Sequence, residues 1–262
     1  MTSKRTAKAP FAGKMYLQGV YAVAERIPGE ARFPFNLPFV RGLDVGLDQP
    51  VTFFVGENGS GKSTLLEAIA DLCGLHVAGG GSADTLYSSH EQGSELARVL
   101  RPRFRHRPRD GFFFRAETLV NFATLLEERQ RDPDFLGDPY MRYGGKSLHL
   151  RSHGEAFLDV FQHRIHDGLF LIDEPEAALS PQRQLTLLYL LRDRVERGRA
   201  QFIIATHAPI LLTFPGAVIL DFDDPALPEI ALQDTKHYQI TRGILEHPER
   251  YWRSDGSDDP AG

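Results

Sequence analysis

Eight consecutive residues carry the most chemistry in this chain: Gly56-Glu57-Asn58-Gly59-Ser60-Gly61-Lys62-Ser63. They fill every fixed position of the spacing G-x-x-x-x-G-K-[S/T]. The glycines let the backbone turn tightly, so several N–H groups can converge on one phosphate group. A helix that starts where the loop ends adds its partial positive charge at the same point. Lys62 is spaced to reach the β- and γ-phosphates of a nucleoside triphosphate, and the Ser63 hydroxyl to ligate Mg²⁺. Thr64 adds a further hydroxyl for the α-phosphate.

Two other segments end in polar groups after an apolar run. Leu169 to Ile172 is followed by Asp173 and Glu174, and Ile203-Ile204-Ala205 by Thr206 and His207. Ligands of open α/β sheets gather at the C-terminal ends of the strands. There Asp173 can share the ion held by Ser63. Glu174, on the opposite side of the chain, can orient or deprotonate an attacking water. His207 can hydrogen-bond a terminal phosphate and sense its loss.

The phosphate loop needs a strand before it and a helix after it. Val51 to Val55 is a short apolar run, and Ser63 to Cys73 has apolar residues at 65, 66, 69, 70, 72 and 73, which is helical spacing. Strands are expected at Tyr16–Arg26, Phe112–Phe114, Leu169–Ile172 and Gln201–Ala205. Helices are expected at Leu119–Arg131, from Ser152 to about His166, and at Pro181–Arg197. Asp132–Gly145 reads as a polar loop. This alternation argues an α/β domain with a mainly parallel sheet.

Composition bounds the rest. The chain has 262 residues, 42% of them hydrophobic, and a net charge of −5. That supports a sizeable core and excludes general disorder. The best apolar stretch, Ile203 to Leu220, is broken by Thr206, His207, Pro209, Thr213, Pro215 and Gly216, so no membrane span is expected. Cys73 is the single cysteine, which favours a reducing, cytoplasmic compartment. His163 and His166 lie three apart, but nothing completes a zinc ligand set. Arg101, Arg103, Arg105, Arg107 and Arg109 alternate with other residues, which predicts an extended segment with one basic face. Such a stripe either guards an edge strand or contacts a nucleic-acid backbone, and the acidic chain favours the first.

The phosphate loop, then LIDEPEAALS, then IIATHAPI, is the order and wording of ABC-class ATPases, which this sequence resembles over roughly residues 15–250. It looks most like the stand-alone ATPases near the RecF/SMC branch. Phe112-Phe113-Phe114-Arg115-Ala116-Glu117 and the closing HYQITRGILEHPERY stretch are similar to that group too. The resemblance implies a P-loop NTPase with an ABC-type mixed or parallel core sheet, a small antiparallel β subdomain and a short helical subdomain at about 118–150. The ATPase domain would span 11–252, between a flexible leader (1–10) and a disordered tail (253–262).

The resemblance also implies ATP and Mg²⁺ as ligands, and an ATP-dependent homodimer joined head to tail. Ala177-Ala178-Leu179-Ser180 matches the loop that contacts the other subunit. Glu117 stands where the family has a glutamine that reaches Mg²⁺ and water. Arg151-Ser152-His153-Gly154-Glu155 stands where the family has L-S-G-G-Q, with Ser152 and Gly154 matching the residues that close on the other subunit's γ-phosphate. Ser152-x-x-Glu155 is also a capping box. Hydrolysis would be coupled to a protein partner. A transporter energy-coupling subunit and a DNA-maintenance or defence ATPase are the competing roles. A nucleotide-gated module that barely turns over is a third, and Glu174 argues against it.

Overall fold

The computed structural model describes residues 15–29, 32–75, 80–81, 93–117, 119–135, 137–147 and 152–252. The expected leader and tail lie outside the described residues.

Five strands form the parallel core: β3 (Val51–Val55), β6 (Gly111–Arg115), β7 (Gly168–Asp173), β8 (Ala200–Ala205) and β9 (Val218–Asp221). Their order is β6-β7-β8-β3-β9, with β4 (Gly80–Gly81) pairing antiparallel to β6 at one edge. β8 therefore lies between β3, which leads into the phosphate loop, and β7, which ends in the acids. A smaller antiparallel sheet has the order β2-β1-β5, built from β1 (Leu17–Ala22), β2 (Asp44–Gly46) and β5 (Leu100–Phe104).

The core strands read as unbroken apolar runs because both faces are covered. On one face Phe53, Phe114, Phe170, Ile172, Phe202 and Ile204 meet Phe157 and Phe161 of α3 (His153–Arg164) and Leu187 and Leu191 of α4 (Pro181–Glu196). Phe122 and Leu126 of α2 (Leu119–Arg131) join this layer. On the other face Phe54, Phe113, Leu171 and Ile203 meet Leu65, Leu66 and Ile69 of α1 (Lys62–Leu72). Val20, Val45 and Leu100 of the small sheet pack into the same layer, so α1 is held between the two sheets. Gln201, fully buried in β8, stitches them together. Its Oε1 accepts from the Leu17 N–H at 2.9 Å, and its Nε2 donates to the Leu17 and Leu47 carbonyls at 2.8 and 2.6 Å. A buried amide is tolerated there because its donors and acceptor are used.

Two expectations change in detail. The strand expected over Tyr16–Arg26 stops at Ala22 and gives way to a 3₁₀ turn at Ala24–Arg26. The arginine stripe is extended only through Phe104. Among the described residues β5 is an edge strand paired with β1, and Arg103 is tied to Asp44 at 2.5 Å. Arg105, Arg107 and Arg109 follow in an irregular, exposed stretch that includes Pro108. A charged edge protects a small sheet from pairing with another chain.

Candidate functional site: a phosphate loop facing an acidic strand end

β3 delivers the chain to the loop, and α1 starts immediately after it. Gly56, Gly59 and Gly61 take φ values of 145°, 82° and 97°. Gly61 is the N-cap of α1, and a Cβ there would stand 2.7 Å from the Phe39 ring and 2.9 Å from Leu37. Both the left-handed backbone and the packing therefore require glycine at this position. Glu57, Asn58 and Gly59 form the exposed tip of the loop.

Lys62 is almost fully buried, and its Nζ donates to the Gly56 and Glu57 carbonyls at 2.8 and 3.0 Å. Burial pulls its pKa below the ordinary lysine value. The carboxylates of Glu174, Asp173, Asp223 and Glu176 act in the opposite direction. The lysine is thus folded back over its own loop among acidic groups.

Ser63 Oγ donates to Asp173 Oδ1 at 2.9 Å, which brings the first turn of α1 and the end of β7 together. Asp173 is buried, and desolvation pushes its carboxyl up to about 6 although Ser63 and Arg115 act to lower it. A buried carboxylate beside a serine hydroxyl is the oxygen donor set that suits Mg²⁺. Thr64 is half-buried in the same helical turn.

Glu174 adopts φ 47°, ψ 55°, a left-handed conformation rare for a residue with a Cβ. Its N–H is fixed by the Ala205 carbonyl at 3.0 Å. Strain of this kind persists where the surroundings impose it, often at reactive sites. Here it turns the chain sharply after Asp173 and places Glu174 Oε1 3.4 Å from His207 Nε2. Asp173, Glu174 and His207 thus meet at neighbouring strand ends.

Among the described residues, Ser60 Oγ and His207 Nε2 are buried polar atoms of this region without a hydrogen-bond partner. Buried polar groups are normally satisfied, so both atoms fit a site that receives a polyanion.

The segment standing where the family has L-S-G-G-Q forms a capping box from Ser152 onward. Ser152 is the N-cap of α3, its Oγ accepts from the Glu155 N–H at 3.4 Å, and Glu155 Oε2 accepts from the Ser152 N–H at 3.1 Å. Arg183 donates to Ser152 Oγ at 3.1 Å and pairs with Glu155 at 3.2 Å. A Cβ on Gly154 would come within 2.8 Å of the Ala178 carbonyl and 2.5 Å of Arg183. Gly154 therefore lets α3 pack on the 177–180 loop of its own chain. Among the described residues no hydrogen bond joins Ser152 or Gly154 to the phosphate loop. Glu117 also stands apart, exposed in the turn after β6, with no hydrogen bond or ion pair among the described residues. Arg151 lies outside the described residues.

Four participants were not singled out from the sequence. Arg115 stands opposite Asp173 in the β6–β7 register and bridges Glu67 at 2.6 Å and Asp173 at 3.7 Å. Glu176 is largely buried; it accepts from Thr206 Oγ1 at 2.8 Å and from the His207 N–H. Asp223 accepts from the Glu57 N–H at 2.7 Å and from Lys236 at 2.8 Å. His237, in the first turn of α5 (Lys236–Glu246), contacts the ring of His207. Of these, Glu176 carried a signal: it is the one acid of the LIDEPEAALS segment left without a role.

Residues 34–111 match the family described as "AAA domain", and residues 91–213 the family described as "AAA domain, putative AbiEii toxin, Type IV TA system". The vitamin B12 import ATP-binding protein BtuD of Yersinia enterocolitica is 30% identical over 190 residues, 64% of this chain and 70% of that protein. Among solved structures, CbiO1 of Clostridium perfringens, part of an ABC transporter complex, has a TM-score of 0.49 at 15% identity, covering 90% of this chain and 98% of its own. The SMC head domain of Thermotoga maritima has a TM-score of 0.43 at 14% identity, covering 83% and 99%. No helix among the described residues is long and apolar enough to cross a membrane. The identity to a curated ATP-binding protein over 70% of its length settles what the phosphate loop and the acidic strand end had already indicated: the chain belongs to the ABC-class ATPases, enzymes that split ATP to ADP and phosphate.

Proposed function

We propose that this ATPase works as an ATP-sandwiched pair of identical chains, each lending its Ser152 helix to the other's phosphate loop. The observation that carries the reading is the division of the site. The loop, Asp173, Glu174 and His207 are assembled within one chain, whereas Ser152 and Gly154 are built as a capped helix end unconnected to them. A capped helix end still offers its dipole and N–H groups to an anion. Glu155 would repel a phosphate, but its carboxylate is turned back to the cap and paired with Arg183.

In this reading Lys62 leaves the Gly56 and Glu57 carbonyls for the β- and γ-phosphates. Ser60 Oγ and His207 Nε2 gain the acceptors they lack. Ser63 and Asp173 would hold Mg²⁺, which neutralises charge on the phosphates when bound. Glu117 would join them only after its turn moves inward. Glu174 accepts a proton from the attacking water, and loss of the γ-phosphate releases the pair. The chain acts as a stand-alone cytoplasmic ATPase of the RecF/SMC-like branch, passing its nucleotide state to a protein partner.

A second reading, the energy-coupling subunit of a transporter, draws on the curated import ATP-binding relative. Co-purification with a membrane protein would favour it. Turnover per chain tests the paired site: it should rise with protein concentration and then level off. A specific rate independent of concentration at dilutions where the protein is monomeric would refute it.

A further inference from the structure

We propose that His237 is a positioning residue that fixes the proton of His207 on Nε2, the nitrogen facing the reaction. The proposal rests on the reading of His207 as a γ-phosphate donor. His207 Nδ1 lies 2.9 Å from His237 Nε2, and the two rings are inclined at 59° with centroids 4.7 Å apart. One proton lies between those two nitrogens, and which ring supplies it decides the chemistry at the far side of His207. If His207 donates from Nδ1, its Nε2 presents a lone pair to Glu174 Oε1 at 3.4 Å and to an incoming phosphate. That sets acceptor against acceptor. If His237 donates from Nε2, His207 carries its proton on its own Nε2, which becomes a donor aimed at the site. Burial, then the charges of Lys62 and His237, hold the His207 pKa below its ordinary value, while Glu174 acts to raise it. His207 is thus kept neutral, the state in which the tautomer matters.

The surroundings hold both rings in place for this exchange. The His207 backbone is anchored by Glu176, which also accepts from Thr206 at 2.8 Å. His237 is delivered by the first turn of α5, whose N-cap Thr235 accepts from the Tyr238 N–H at 3.3 Å. The neighbouring Lys236 is tied at 2.8 Å to Asp223, which holds the Glu57 N–H of the phosphate loop at 2.7 Å. The start of α5 is therefore pinned at both the loop and the histidine, and it cannot turn without disturbing the His207 contact. Orientation of one imidazole by a partner at its other nitrogen is the arrangement by which histidine roles are commonly assigned.

The test uses the full chain and three variants: His207→Ala, His237→Leu and His237→Gln. Glutamine can place an N–H where His237 Nε2 stands, and leucine cannot. His237→Leu should lower kcat about tenfold, a barrier change of about 1.4 kcal/mol, with KM for ATP changed less than twofold. His237→Gln should recover kcat to within about threefold of the parent. Equal rates for the leucine and glutamine variants, impaired or parental, would overturn the proposal. ¹⁵N NMR of the parental chain gives a readout independent of any variant's folding: His207 should be protonated at Nε2, and protonation at Nδ1 overturns the assignment. His207→Ala separates the two layers. If it retains the parental rate, the γ-phosphate reading itself fails. If it is impaired while His237→Leu is not, only the role of His237 fails.

Discussion

Asp173 does its work at a cost to the fold, and replacing it with asparagine should expose that cost. In the folded chain desolvation carries its pKa from 3.8 to about 6. The folded state therefore holds a proton that the unfolded chain releases nearer pH 3.8. Stability from this group is fully present below pH 3.8 and is lost as pH rises through about 6. The gap, at about 1.4 kcal/mol for each pH unit, amounts to ~3 kcal/mol missing at neutral pH. Asp173→Asn removes the buried charge and keeps an acceptor for Ser63. It also gives up attraction to Arg115, so a net gain of about 1.5 kcal/mol is expected, or roughly 3–6 °C in Tm for a domain of this size. The assay is thermal melting without nucleotide and with excess chelator, at pH 7.5 and pH 4.5. The asparagine chain should melt higher at pH 7.5, lose much of that advantage at pH 4.5, and lack ATPase activity. A lower Tm at pH 7.5, or an equal gain at both pH values, would refute the argument that Asp173 is a desolvated carboxylate.

Lys62→Ala should remove ATP turnover by at least a hundredfold while leaving the melting temperature within a few degrees, since among the described residues the lysine hydrogen-bonds its own loop carbonyls; assays of hydrolysis and melting check both halves. Arg105→Glu combined with Arg109→Glu should leave ATPase activity within twofold, because both side chains are exposed beyond the edge strand. A large loss of activity with the fold intact would place that basic stretch at the nucleotide site.

Four strands of the parallel core, β3, β6, β7 and β8, were legible because each is a short apolar run bounded by polar or turn residues. The phosphate loop, Asp173, Glu174 and His207 could be picked out together because a complete loop motif and two apolar runs ending in polar groups stand out in the sequence, and β3, β7 and β8 lie side by side in the sheet. The small sheet was harder to read. β2 has three residues, too few to show a pattern, and β5 was legible as an extended segment from its alternating arginines but not in its pairing with β1. β9 is four residues in a stretch dense with proline and glycine. Arg115, Glu176, Asp223 and His237 act through partners from 30 to 166 residues away or across a strand register, contacts that only the folded chain creates. The glutamine position filled by Glu117 was read by alignment to a motif, and the chain instead places Arg115 beside Asp173.

The shared site is tested most directly by the mass of a Glu174→Gln chain in solution. Glutamine keeps the shape of the side chain but cannot accept the water's proton, so bound ATP should persist and hold two chains together. Light scattering should give a dimer with saturating ATP·Mg²⁺ and a monomer without it. Adding Ser152→Arg removes the cap, worth about 0.5–2 kcal/mol, along with the hydroxyl offered to the phosphate, and should dissolve the dimer. A Glu174→Gln chain that stays monomeric at high concentration with ATP bound, or a dimer indifferent to the change at Ser152, would contradict the account.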